Sequence, residues 1–201
     1  MEEKRYASDI AGHCNEPTAW QILKEVSRLL INNNQLIVNP FIIEIGGDGH
    51  LALSPTETQL RGFDAPEVTS AHRTETSVVW SLGATLFYVV MGHQVMNGKG
   101  GAGQSETSKL PYMRSEWPEL SELVQQCLRY QPLQRPSLQQ ILDKASEQHD
   151  RCMEEIRRGP KFKKNSENTI DGTINAEDEM AFWPESMHET QRINIKNKTR
   201  L

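Results

Sequence analysis

The sequence predicts a mainly α-helical domain with one short β-hairpin, followed by a disordered tail. Three observations predict it. Apolar residues recur at helical spacing in several separate stretches. A single glycine cluster, Gly46-Gly47-Asp48-Gly49, divides two short runs rich in branched residues. Beyond Arg157 the apolar residues become sparse and lose any sustained period.

The first fifteen residues are polar and predict a flexible N-terminus. Glu16-Pro17-Thr18 then opens a helix through Ala19-Trp20-Gln21-Ile22-Leu23 to Ile31, and Asn32-Asn33-Asn34 stops it. The branched segment Leu36–Ile45 and the segment Leu51-Ala52-Leu53 form the arms of the hairpin. A loop containing Phe63-Asp64-Ala65-Pro66-Glu67 leads to an apolar helix around Trp80 to Met91. The run Val78–Met91 is too short for the roughly 20 residues of a membrane span, so it reads as a buried core helix. Gly98-Lys99-Gly100-Gly101-Ala102-Gly103 predicts a flexible loop. Two amphipathic helices follow, one near Glu119–Arg129 and one near Ser137–Ile156 after the Arg135-Pro136 start. Trp20 and Trp80 are expected in the core. Trp117, preceding Pro118, is expected to cap a helix start or to face a partner.

Length and composition bound the function. With 201 residues the chain has room for one ordinary domain and a tail. The net charge of -5 argues against a nucleic-acid binder, because phosphate neutralisation needs clustered basic residues. Residues 1–156 carry a net of -7 and residues 157–201 a net of +2, so an acidic body bears a slightly basic tail. The tail is expected to be largely disordered, with Met180, Phe182 and Trp183 as a candidate docked patch. Its cluster Arg157, Arg158, Lys161, Lys163 and Lys164 reads as a solvated linker rather than a lipid contact. Three cysteines, Cys14, Cys127 and Cys152, lack metal or redox spacing and suit a reducing compartment. No apolar leader follows Met1, and a cytoplasmic protein without a transmembrane segment is expected.

Several local patterns have bland readings. Gly46–Gly49 lies between strands, not before a helix, so it is a turn and not a phosphate cradle. His13 beside Cys14 gives no chelating geometry, and the other histidines are scattered, so no metal or cofactor is expected. The C-terminal Thr199-Arg200-Leu201 has the form that PDZ domains capture by strand addition and is a candidate PDZ ligand.

Four motifs in order carry a resemblance. They are Asn39-Pro40-Phe41-Ile42-Ile43 through Asp48-Gly49-His50-Leu51-Ala52-Leu53-Ser54, then Ala65-Pro66-Glu67, then Trp80-Ser81-Leu82-Gly83, then Tyr130-Gln131-Pro132-Leu133-Gln134-Arg135-Pro136. Together they resemble the C-terminal lobe of a eukaryotic protein kinase over about residues 18–157. The first covers the catalytic-loop stretch, the second closes the activation segment, the third opens the central helix, and the last precedes the final helix.

The departures from that lobe bear on activity. Phosphoryl transfer needs a catalytic-loop Asp, and an Asn and a second Asp on magnesium. The register places Ile37, Ile42 and Pro55 at those positions, and Val78 where an Asp would start the central helix. The strands of a nucleotide lobe have no sequence before the first helix. A lobe of this kind resembles the KIND domain, the kinase non-catalytic C-lobe module of Spire-type actin nucleators and other scaffolds. Ala19-Trp20, Ile42-Ile43 and Leu60-Arg61-Gly62-Phe63-Asp64-Ala65-Pro66-Glu67-Val68 carry that match.

The resemblance implies a KIND-like domain at residues 16–157, and Glu67 and Arg135 as a structural ion pair. It also implies no enzymatic activity and a protein-binding role as adaptor or scaffold, linked to the actin cytoskeleton or to a membrane-associated scaffold. A basic helical peptide such as a formin-type segment would be the ligand. The candidate partner-binding residues are Glu106, Tyr112, Glu116, Trp117, Glu119 and Glu122, acidic groups with aromatic anchors around the Gly98–Ser108 and Pro111–Leu123 segments. The competing expectation is a pseudokinase-type regulator that binds nucleotide or modulates a kinase in trans.

Overall fold

A computed structural model describes residues 4–55, 60–68 and 73–159. Helices dominate it: α1 Glu16–Asn33, α2 Glu75–Met91, α3 Pro118–Cys127 and α4 Leu138–Arg158. Strands β1 Arg5–Tyr6, β2 Ile43–Ile45 and β3 Leu51–Leu53 form one antiparallel sheet in the order β1-β2-β3. The tail, with the patch at Met180, Phe182 and Trp183 and the PDZ-like Thr199, Arg200 and Leu201, lies outside the described residues.

Capping chemistry sets the helix bounds. The Asn15 side chain accepts from the Thr18 N–H at 2.9 Å, and Pro17 sits in the first turn of α1, where its missing donor costs nothing. Asn34 ends α1 in the left-handed region at φ 48°. Thr74 with Ser77 and Ser137 with Gln140 form reciprocal capping boxes at the starts of α2 and α4.

Helix α2 is the central post. Its residues from Ser77 to Phe87 are all buried, so it reads as apolar all round and not as an amphipathic surface helix. Trp20 and Trp80 are both fully buried, as expected. The Trp80 indole donates to Gln104 Oε1 at 2.9 Å, and the Gln104 amide donates to the Leu128 carbonyl at 2.6 Å. One buried amide thereby satisfies groups on two other segments. Helix α4 lies along α1, tied at its edge by Lys24 and Asp150 at 3.5 Å.

Two expectations are corrected. Residues 5–12 are docked, not free: β1 pairs with β2 with Tyr6 opposite Glu44, Ala7 is fully buried, and the Gly12 N–H donates to the Val89 carbonyl of α2 at 2.9 Å. Lys4 and the Ser54 hydroxyl both donate to the Glu44 carboxylate. The expected hairpin of β2 and β3 is present, and β1 extends it to a three-stranded sheet. The glycine stretch 98–103 is a packed turn and not an open loop. Gly101 donates to the Asp64 carbonyl at 2.7 Å, and a Cβ there would lie 2.2 Å from the Pro66 nitrogen. Only glycine permits that approach.

Candidate partner-binding surface

Ile37, Ile42, Pro55 and Val78 all carry apolar side chains. Ile42 is buried, Ile37 is half-buried and Pro55 is exposed. Val78 is buried in the first turns of α2. None of the four side chains can ligate a cation or take a proton. Among the described residues no group of three or more His, Cys, Asp or Glu is arranged to hold a metal ion. His13 is exposed while Cys14 is buried, so the adjacent pair does not converge.

Glu67 and Arg135 do meet. Arg135 Nη1 donates to Glu67 Oε1 at 2.6 Å and Nη2 to Oε2 at 2.9 Å. The remaining donors go to backbone: Nε to the Arg129 carbonyl at 2.8 Å, Nη1 to Thr76 at 2.9 Å, and Nη2 to Tyr130 at 3.0 Å. All five N–H groups of the guanidinium are used, as burial of a cation demands. The turn Arg129–Pro136, the segment ending at Glu67 and the start of α2 are held together at this one side chain.

That turn is the wall between two surface clefts. On one side lies a groove of about 600 Å³ between α3 and α4, with Glu119 and Glu122 on the α3 wall, Lys144 on the α4 wall, Arg129 on the turn, and Leu123 and Pro136 among its apolar lining. On the other side is a cleft of about 350 Å³ containing Ser105, Glu106, Ser108 and Tyr130. Arg129 and Gln134 line both.

The six candidate partner-binding residues are thus divided. Glu119 and Glu122 share the larger groove, and Glu106 lies in the smaller cleft, where Gln131 donates to it at 3.1 Å. Tyr112 and Glu116 are exposed on the segment leading to α3, and Trp117 is half-buried at its N-cap under the Arg114 guanidinium, 5.0 Å from the ring centroid. These three line neither cleft. Trp117 packs against the core. Its apolar surface serves the fold first.

The groove is also not uniformly acidic. Its own backbone amide in the first turn of α3, and then Arg151 at 3.3 Å, hold Glu119 below the usual carboxylate range. Glu122 is exposed and accepts only a long contact from Gln126 at 3.4 Å. Arg129 and Lys144 set positive charge against these two carboxylates. No local pattern signals this opposition, because Lys144 and Glu122 lie on different helices.

Leu133, inside the turn, is 95% exposed. No protein-family model matches the chain. Among the described residues no helix is long and apolar enough to cross a membrane.

Proposed function

We propose that residues 16–157 are a KIND-type, non-catalytic protein-binding module serving as an adaptor or scaffold. One observation carries the reading. Within a helical frame whose Arg135–Glu67 tie is complete, the three positions that phosphoryl transfer would need hold Ile37, Ile42 and Pro55. The exposed surface beside that tie carries Glu106, Glu119 and Glu122 together with Tyr130, which suits polar recognition of a protein segment around an apolar anchor. A basic helical peptide of formin type is the proposed ligand, with a cytoplasmic, cytoskeleton-linked role.

Two measurements test it. Mg-ATP should leave the melting temperature of the full chain unchanged, whereas a nucleotide-binding pseudokinase would be stabilised by its ligand. A fluorescent basic amphipathic peptide should bind the full chain with an affinity that falls as salt rises above about 0.15 M, where the Debye length is near 8 Å. The double substitution Glu119→Lys with Glu122→Lys should weaken that binding at least about tenfold. Stabilisation by Mg-ATP, or peptide affinity that ignores the double substitution, overturns the reading.

A further inference from the structure

The turn Arg129–Pro136 holds an apolar side chain in water on a backbone that cannot fold it away. Pro132 fixes one φ, the Gln134 N–H donates to the Gln131 carbonyl at 3.1 Å, and the Arg135 N–H donates to Pro132 at 3.2 Å. The Arg135 side chain then locks the turn from beneath through the Arg129 and Tyr130 carbonyls. Leu133 is therefore a preorganised knob. An anchor that is already ordered loses little entropy on being buried by a partner.

Beside the knob lies a hole. The groove between α3 and α4 begins one residue away, at Gln134, and offers Leu123 and Pro136 as apolar lining. Its charges are of both signs: Glu119 and Glu122 on the α3 wall, and Arg129 with Lys144, whose ammonium lies 3.7 Å from Glu147, on the others. A surface carrying the same arrangement, turned by a two-fold rotation, can set each sign of charge against its opposite. Isologous contacts require that where residue i touches residue j, j also touches i. A knob and a hole side by side, with carboxylates on one wall of the hole and cations on the other, suit that requirement.

We propose that this face docks a second copy of the same chain in a two-fold dimer. Leu133 enters the partner's groove against its Leu123 and Pro136, and Glu122 pairs with the partner's Lys144, twice by symmetry. The inference goes beyond the peptide-binding reading and does not rest on it.

Sedimentation velocity of the full chain from about 10 µM to about 1 mM, spanning the affinities of modest interfaces, tests it. A concentration-dependent monomer–dimer equilibrium is expected. Leu133→Glu should weaken it about tenfold or more while leaving the circular dichroism and melting temperature unchanged, since the side chain touches almost nothing in the monomer. Glu122→Lys and Lys144→Glu should each weaken the dimer alone, and mixing the two variants should restore it as a heterodimer, because both cross-pairs then carry opposite charges. A monomer throughout the range, an open-ended polymer, a dimer indifferent to Leu133→Glu, or a mixture that fails to recover overturns the proposal.

Discussion

Glu67 and Arg135 form a bidentate ion pair whose two ends are unequally exposed: the Arg135 side chain is wholly buried and that of Glu67 is 31% accessible. The asymmetry decides what each partner contributes. Glu67 can exchange the pair for water. Arg135 cannot, and three carbonyls on two chain segments depend on it besides the carboxylate. Its role is that of a peg joining the turn before α4 to the start of α2.

Substitutions should follow that order. Arg135→Leu removes five hydrogen bonds and leaves three carbonyls without their donor, for a cost of about 3–5 kcal/mol. Glu67→Gln keeps shape and one acceptor and should cost about 1–2 kcal/mol, discounted for its exposure. Urea unfolding of both variants checks this. Equal losses, or a stable Arg135→Leu protein, would show that the peg does not hold the fold.

The arrangement around this peg was only half legible in the sequence. Arg135 was marked by Pro136 behind it and Glu67 by Ala65-Pro66 before it, because local motifs keep their chain neighbours. The long helices were legible for the same reason: Trp20, Leu23, Ser27 and Leu30 of α1 sit at helical spacing and are all buried. Strand β1 was not, since two residues carry no period, and Glu44 that receives Lys4 lies 40 positions away. The glycines at 100 and 101 looked like freedom. They are buried because backbone from residues 61–66 comes against them, a contact between distant segments. The split of the acidic residues between two clefts, and the exposure of Leu133, are likewise products of tertiary packing.

Close packing at Gly83 gives a second test. A Cβ added there would stand 2.7 Å from Cys127 Cβ and 3.5 Å from Leu128, where α2 crosses α3 in the core. The Cys127 Cβ is fixed to the backbone and cannot swing aside, whereas the Leu128 side chain is at ordinary contact distance. Gly83→Ala should therefore destabilise by about 1–3 kcal/mol, although alanine favours a helix over glycine by about 1 kcal/mol elsewhere. Gly47→Ala, in the hairpin turn with no atom within 4 Å of the new methyl, is the control and should change stability by less than about 0.5 kcal/mol. Thermal melts of the two variants side by side measure the difference; equal melting temperatures would refute the close helix crossing.

Cys127 sits at this crossing, and the other two thiols, Cys14 before α1 and Cys152 on α4, are buried elsewhere. Burial pushes Cys14 and Cys127 up to about 12, against only partial relief from Arg114 and Arg135 respectively, and burial also raises Cys152. Because the thiolate is the reactive form, the native protein at pH 8 should react slowly with a disulfide reagent. In denaturant all three of its cysteines should titrate at once. The sign of the linkage follows from the same shifts. An unfolded thiol ionises near its ordinary value of 9.0, whereas the folded Cys14 and Cys127 hold their protons to about 12. Their contribution to stability is therefore complete below pH 9 and is lost progressively as pH rises toward 12. Replacing Cys14 or Cys127 with alanine creates a small cavity and lowers stability at neutral pH, yet it should flatten the alkaline decline. Denaturant midpoints of wild type and each variant at pH 7 and pH 10 provide the measurement. A parallel fall in all three proteins, or a thiol that reacts rapidly in the native state, would show that the cysteines are not buried as α3, α4 and the N-terminal segment place them.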